Sequence, residues 1–198
     1  MADDLDSRYS SSGDSLHSWV FDRNAAVIVN LTQEDLLIIN FVGRSRSLIA
    51  RAANVVDVKQ GDQDGVDSDV MGFAAEYAFA KHQNLFPDFG LSPRSGTADG
   101  VMGKFKYDVK STHLPNGRLL CTLKENASVD IYILAIVASR SVNFPGWAYS
   151  SDLRKDENIK NLGHGNGYVM DQSKLRRFKE DSHDGTIGVV NPNSVLRI

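Results

Sequence analysis

The chain has 198 residues, 41% of them hydrophobic, which is enough to bury a sizeable core within one domain. No apolar run approaches the length of a bilayer span, and the opening Met1-Ala-Asp-Asp-Leu-Asp is acidic rather than leader-like, so a membrane protein and a secretory signal are both disfavoured. Cys121 stands alone, which excludes a disulfide framework and a cysteine zinc site and makes a reducing cytoplasm the expected compartment, while a formal net charge of -3 excludes a strongly basic nucleic-acid binder.

Residues 1–16 are rich in Asp and Ser and read as a mobile tail ahead of one domain over 17–198. Four acids and one arginine fall in the first 15 residues, so this segment alone carries the net -3 and the remainder is close to neutral. A strand is expected at Ala25 to Val29. Thr32-Gln-Glu-Asp then has the form of an N-cap with first-turn acids, opening a helix from about Gln33 to Val56 with Gly43 as a point of interruption. Asp57 to Asp69 reads as a polar, glycine-containing connection.

Met71-Gly-Phe-Ala-Ala-Glu76-Tyr-Ala-Phe-Ala-Lys81-His is a short helix with apolar or small residues on nearly every side, hence one packed between layers. Glu76 lies in its middle. A buried carboxylate costs several kcal/mol unless paired or metal-bound, so either a nearby Lys or Arg or a site of acids must meet it.

The densest chemistry follows in Asp99-Gly-Val-Met-Gly-Lys-Phe-Lys-Tyr-Asp108-Val-Lys110. Gly103-Lys104 is a plausible turn between two alternating runs, so a hairpin would bring the two aspartates together. Alternation along the second strand turns Asp108 and Lys110 to one face and Tyr107 and Val109 to the other. Two carboxylates and an ammonium in that arrangement form a set able to hold Mg²⁺ against a phosphate. The triplet alone is weak, since about one acid-x-Lys is expected by chance in this composition. A second copy, Asp57-Val58-Lys59, lacks both a hairpin and a partner acid and reads as a solvated helix end.

Further strands are expected at about 96–102, 105–112, 118–124 and 131–138. Ile131 to Val137 is the most apolar and is expected to be central, covered on both faces. Glu125 and Asp130 read as strand-end polar residues. Phe144 to Tyr149 suggests one more strand, with Ser150-Ser151-Asp152 capping a short helix. Gly163-His-Gly-Asn-Gly-Tyr168 lacks the context of a phosphate-binding loop and reads as a surface loop.

A helix bearing Glu76, then Asp99 on a strand, then Asp108-x-Lys110 on the next strand with more strands behind it, resembles the PD-(D/E)xK nuclease superfamily. The resemblance covers about residues 66–138, and Ala98 stands where the family name has proline. It implies an α/β restriction-endonuclease-like fold, with a mixed four- to five-stranded central sheet flanked by helices. It also implies a catalytic set of Glu76, Asp99, Asp108 and Lys110, with Asp99, Asp108, Glu76 and the Val109 carbonyl as metal ligands. Mg²⁺ is then the expected cofactor, with Mn²⁺ as a substitute, and DNA the expected partner, cut as by an endonuclease. The expected phosphate contacts are Arg44, Arg46 and Arg51 before the motif and Lys174, Arg176, Arg177 and Lys179 after it, together with His113 and Lys124. The compact form suggests a phage or mobile-element origin. Two alternatives stand beside this reading: a DNA-binding or protein-interaction module on the same fold that does not cut, and a Holliday-junction resolvase, which requires a homodimer.

Overall fold

A computed structural model describes residues 27–53, 65–92, 98–123, 128–161 and 165–178. The N-terminal segment, the decoy triplet at 57–59, Glu125, Lys124, His164 and Lys179 lie outside them.

The first strand, β1 (Val27–Asn30), feeds α1 (Gln33–Ala52) through the expected cap. Asp35 N–H donates to Thr32 Oγ1 at 3.2 Å while Thr32 N–H donates to Asp35 Oδ2 at 2.8 Å, a reciprocal pair that satisfies two otherwise orphaned donors. Gly43 does not interrupt α1. A Cβ there would lie 2.7 Å from the Val70 Cα, so the glycine is the point at which α2 (Gly65–His82) crosses closely. The expected connection over 57–69 is correspondingly too long, because α2 begins at Gly65, before Met71. Val70 packs onto the core and Asp67 sits in the first turn, where a negative charge suits the helix dipole. Phe73, Ala74, Ala75, Tyr77, Ala78, Phe79 and Ala80 are all buried, since α2 lies between α1 on one side and the sheet on the other.

The main sheet is mixed and five-stranded, in the order β1-β6-β5-β3-β2. It contains β2 (Gly100–Met102), β3 (Phe105–Thr112), β5 (Ile131–Val137) and β6 (Ser141–Tyr149), and only β3 and β5 pair in parallel. Pro145, which cannot donate to a ladder, falls at the register shift of β6 against β5. As expected, β5 is covered on both faces. Ile131, Ile133 and Ala135 join the core under α2, and Tyr132 and Leu134 join a second cluster on the other face.

That second cluster departs from the expected architecture. Leu119–Thr122 forms β4, which leaves the main sheet and pairs with β8 (Asn166–Met170) and, through it, β7 (Ile159–Asn161) in a separate three-stranded sheet. The supposed glycine-rich surface loop is therefore partly a strand: Val169 and Met170 are buried opposite Leu120 and Leu119. The short helix α3 (Ser150–Leu153) follows β6 as expected and buries Leu153 in the same cluster, but Ser150, Ser151 and Asp152 form the helix rather than cap it, since its N-cap is Tyr149 with no side-chain hydrogen bond.

Candidate active site

The site is built on the β2–β3 hairpin. Gly103, at φ 61°, makes the turn, and the register runs Met102 to Phe105 and Gly100 to Tyr107. Asp99 thereby falls opposite Asp108, one step beyond the last named pair. Its N–H donates to the Tyr107 carbonyl at 2.9 Å, and its Oδ2 accepts the N–H of Val109 at 2.7 Å. Beyond β2 the edge of β3 is thus closed by a side chain. Because a strand residue turns its N–H and C=O the same way, the carbonyl of Val109 faces that same edge.

Gly100 explains how Asp99 is held. A Cβ at this position would lie 2.5 Å from the Tyr107 hydroxyl oxygen, so the ring lies across the glycine and leaves no room for a side chain. Tyr107 packs edge-on against Phe79 of α2, with ring centroids 4.9 Å apart. The hairpin is therefore anchored to the helix that carries Glu76.

On the face opposite the helices, Asp108 is 7% exposed and the Lys110 ammonium lies 2.7 Å from its carboxylate oxygens. The same ammonium is 5.9 Å from the centre of the Tyr132 ring, which the parallel register sets beside Asp108. Burial draws the Lys110 pKa down, but Asp108, by charge and hydrogen bond, and Asp99 more than offset it, so the lysine is held cationic above its ordinary value.

Glu76 is half-buried and paired with Arg46 of α1 at 2.9 Å. Arg46 also donates to the carbonyls of Gly90 and Asp88 and lies 4.5 Å from the centre of the Phe73 ring. Of the two partners expected for Glu76, a cation or a site of acids, the one it contacts is a cation, Arg46. Asp99 sits within electrostatic range of Glu76, Asp108 and Lys110 together. Burial, then the Glu76 charge, then the Asp108 charge push its carboxyl well above the usual range, against the opposing effects of the Val109 N–H and Lys110. Tyr107 feels the same crowd: burial, with Asp99 and Glu76, raises its phenol to about 12.

The hairpin therefore sets Asp99 opposite Asp108, which holds Lys110, while Glu76 on α2 acts on Asp99 through its charge. Among the described residues, no three His, Cys, Asp or Glu side chains are grouped as ready metal ligands. Asp108 and Glu76 are taken up by cations, and Asp99 by a backbone N–H. The donor chemistry nonetheless suits a hard divalent ion, since Asp99, Asp108 and the Val109 carbonyl offer only oxygen and Asp99 is short of counter-charge.

The outlying basic residues do not join this cluster. Arg44 lies two positions from Arg46, about 200° around α1, on its exposed side, and Arg51 is exposed near the end of that helix. Arg176 stacks 4.8 Å from the Tyr149 ring centre and pairs with Asp152 at 3.5 Å, while Arg177 donates to the Pro145 carbonyl. Both line a cavity of about 690 Å³ beside β6, two strands away from β3. His113 is exposed just past the end of β3, and Asp130 is a strand-end residue whose carboxylate accepts the Lys106 N–H at 2.8 Å. Sequence reasoning missed Tyr132, and it placed Arg46 among the phosphate contacts, whereas Arg46 is the cation that meets Glu76. The one aromatic in an otherwise aliphatic strand was the only signal for the first, and the arginine on the inner face of α1 the only one for the second.

No helix among the described residues is long and apolar enough to cross a membrane. Neither a family model, nor a curated protein, nor a solved structure matches the chain.

Proposed function

We propose that the chain is a Mg²⁺-dependent nuclease of restriction-endonuclease-like type that hydrolyses DNA phosphodiester bonds, with Glu76, Asp99, Asp108 and Lys110 as its active site. One observation carries this reading. Asp99 and Asp108 lie opposite each other across a hairpin, with Lys110 paired to Asp108 and the charge of Glu76 bearing on Asp99, and crowding of like charge at a fixed edge has more to do with binding a cation than with stability. Asp99, Asp108 and the Val109 carbonyl are the groups that would hold the ion, which supplies Lewis-acid charge to the phosphate and acidifies a bound water.

The remaining work belongs to the chain. Lys110 is cationic throughout the neutral range, so it is a point charge rather than a general base, suited to orienting a nucleophile and offsetting charge on the phosphoryl oxygens. Asp108 positions that ammonium through their 2.7 Å contact. Glu76, held by Arg46, bears on the site through its charge on Asp99. Tyr107, lying over Gly100 and against Phe79, keeps Asp99 at the edge.

Nicking of supercoiled plasmid in Mg²⁺ is the test. Lys110→Ala should remove cleavage by about a hundredfold or more while leaving the circular dichroism spectrum unchanged. Undiminished nicking by that variant would falsify the assignment.

A non-cleaving DNA-binding module is the second reading, favoured by the internal pairing of Asp108 with Lys110 and of Glu76 with Arg46. It predicts metal-independent DNA binding and no cleavage by the unaltered chain.

A further inference from the structure

The helix α1 is apolar on two opposite sides. Ile39, Val42 and Gly43 are buried on the side that meets α2. On the outer side Leu37, Phe41 and Leu48 are 64%, 70% and 67% exposed. A helix that already buries one stripe normally turns a polar face to water, so large apolar residues on the far side are out of place on an isolated chain. They are also ordered. Glu34, Leu37, Phe41, Arg44, Leu48 and Arg51 are all exposed and follow one another at steps of three, four, three, four and three residues. That is the spacing of a seam between two packed helices.

We propose that this seam is the interface between two copies of the chain, with the two α1 helices antiparallel about a two-fold axis at the level of residues 42 and 43. Charge selects both the partner and the direction. In the antiparallel register Glu34 faces Arg51 of the partner subunit, Leu37 faces Leu48 of the partner subunit, and Phe41 faces Arg44 of the partner subunit. Every layer is then complementary: an ion pair, an apolar pair and a cation over a ring. A parallel arrangement would set Glu34, Arg44 and Arg51 each against its own copy. Two-fold symmetry repeats each pair, which is how one self-complementary stripe closes into a dimer and stops there.

The surface has room for such an interface. A 20-residue helix is about 30 Å long. Beside the seam, Phe89 and Leu91 join Leu37 and Phe41 around a groove of about 490 Å³ that a second helix would cover. Arg44 and Arg51 are thereby assigned to association rather than to phosphate contact.

Sedimentation equilibrium of the full chain over about 1 to 100 µM tests the proposal. The unaltered chain should be a dimer. Phe41→Glu should be monomeric across this range with an unchanged circular dichroism spectrum, as befits an exposed position. Glu34→Arg should weaken dimerisation about tenfold, because two symmetric attractions become repulsions, and adding Arg51→Glu should restore it. The charge exchange needs no apolar residue altered, so it decides the matter even if Phe41→Glu misfolds. A monomeric unaltered chain, a dimer indifferent to Phe41→Glu, or a double variant no tighter than Glu34→Arg overturns the proposal and leaves the outer face of α1 to another part of this chain or to a different protein.

Discussion

Asp35 and Asp99 are both carboxylates drawn away from water, and their surroundings push them in opposite directions. Asp35, near the start of α1, is opposed by burial but accepts hydrogen bonds from Lys81, the Thr32 N–H and Tyr77, and these hold its carboxyl at about 2. Lys81 and Tyr77 come from α2 at 2.5 and 2.7 Å, so the carboxylate ties the two helices together. Asp99 has one N–H donor and two acidic neighbours, and its carboxyl is pushed up. The first cluster is complete as it stands; the second is an arrangement of like charge that the fold imposes. Buried acid is therefore not itself the mark of a site. What marks one is an acid whose neighbours make its ionisation worse.

The largest break in this comparison should come from truncation. Asp35→Ala removes the side-chain half of the capping box of α1, the acceptor of the Thr32 N–H, and leaves Lys81 and Tyr77 without theirs, and should cost about 3 kcal/mol in urea unfolding. A loss below about 1 kcal/mol would show that the two helices are held by packing alone.

Acid titration sharpens the contrast. The folded-state pKa of Asp35 lies below its unfolded value of 3.8, so its contribution, about 2 kcal/mol, is fully present above that value and fades as pH falls toward about 2. Asp99 has the opposite sign: its folded-state pKa is raised, so the fold is favoured while it is protonated and loses that contribution as pH rises through the raised value. Stability curves of Asp35→Asn should lack the acid limb, and those of Asp99→Asn should lack the decline that begins as pH rises past the ordinary carboxylate range.

The smallest effect concerns the ion. Metal-free Asp99→Asn should melt a few degrees above the unaltered chain, because the amide keeps the Val109 hydrogen bond and removes one of three like charges. Excess MgCl₂ should raise the melting temperature of the unaltered chain and leave that of Asp99→Asn unmoved. A metal response retained in the variant would place the ion elsewhere.

What could be foreseen was local. The Thr32 cap, the turn at Gly103 and the alternation of Asp108 with Val109 each depend on residues within a few positions, and the last two set Asp99 opposite Asp108. The rest depends on registers that no short window encodes. Whether β4 would stay with β5 or pair with β8 is decided by how Leu119 and Met170 share a core, and the placement of Tyr132 beside Asp108 by the parallel register of β3 and β5. Gly43 was misleading for another reason: glycine disfavours helix by its freedom, while the crossing with Val70 uses its lack of bulk.

The closeness of Asp99 and Asp108 along the chain also bears on how the molecule assembles. They meet through a hairpin closed at Gly103, and hairpins form within about 10 µs, whereas the parallel pairing of β3 with β5 must wait for the long connection that contains β4. If the hairpin closes first, the like charges meet before the main sheet exists to constrain them. Their repulsion would then slow folding and leave unfolding unchanged, and Asp99→Asn should raise the refolding rate with little effect on the unfolding rate in a stopped-flow chevron.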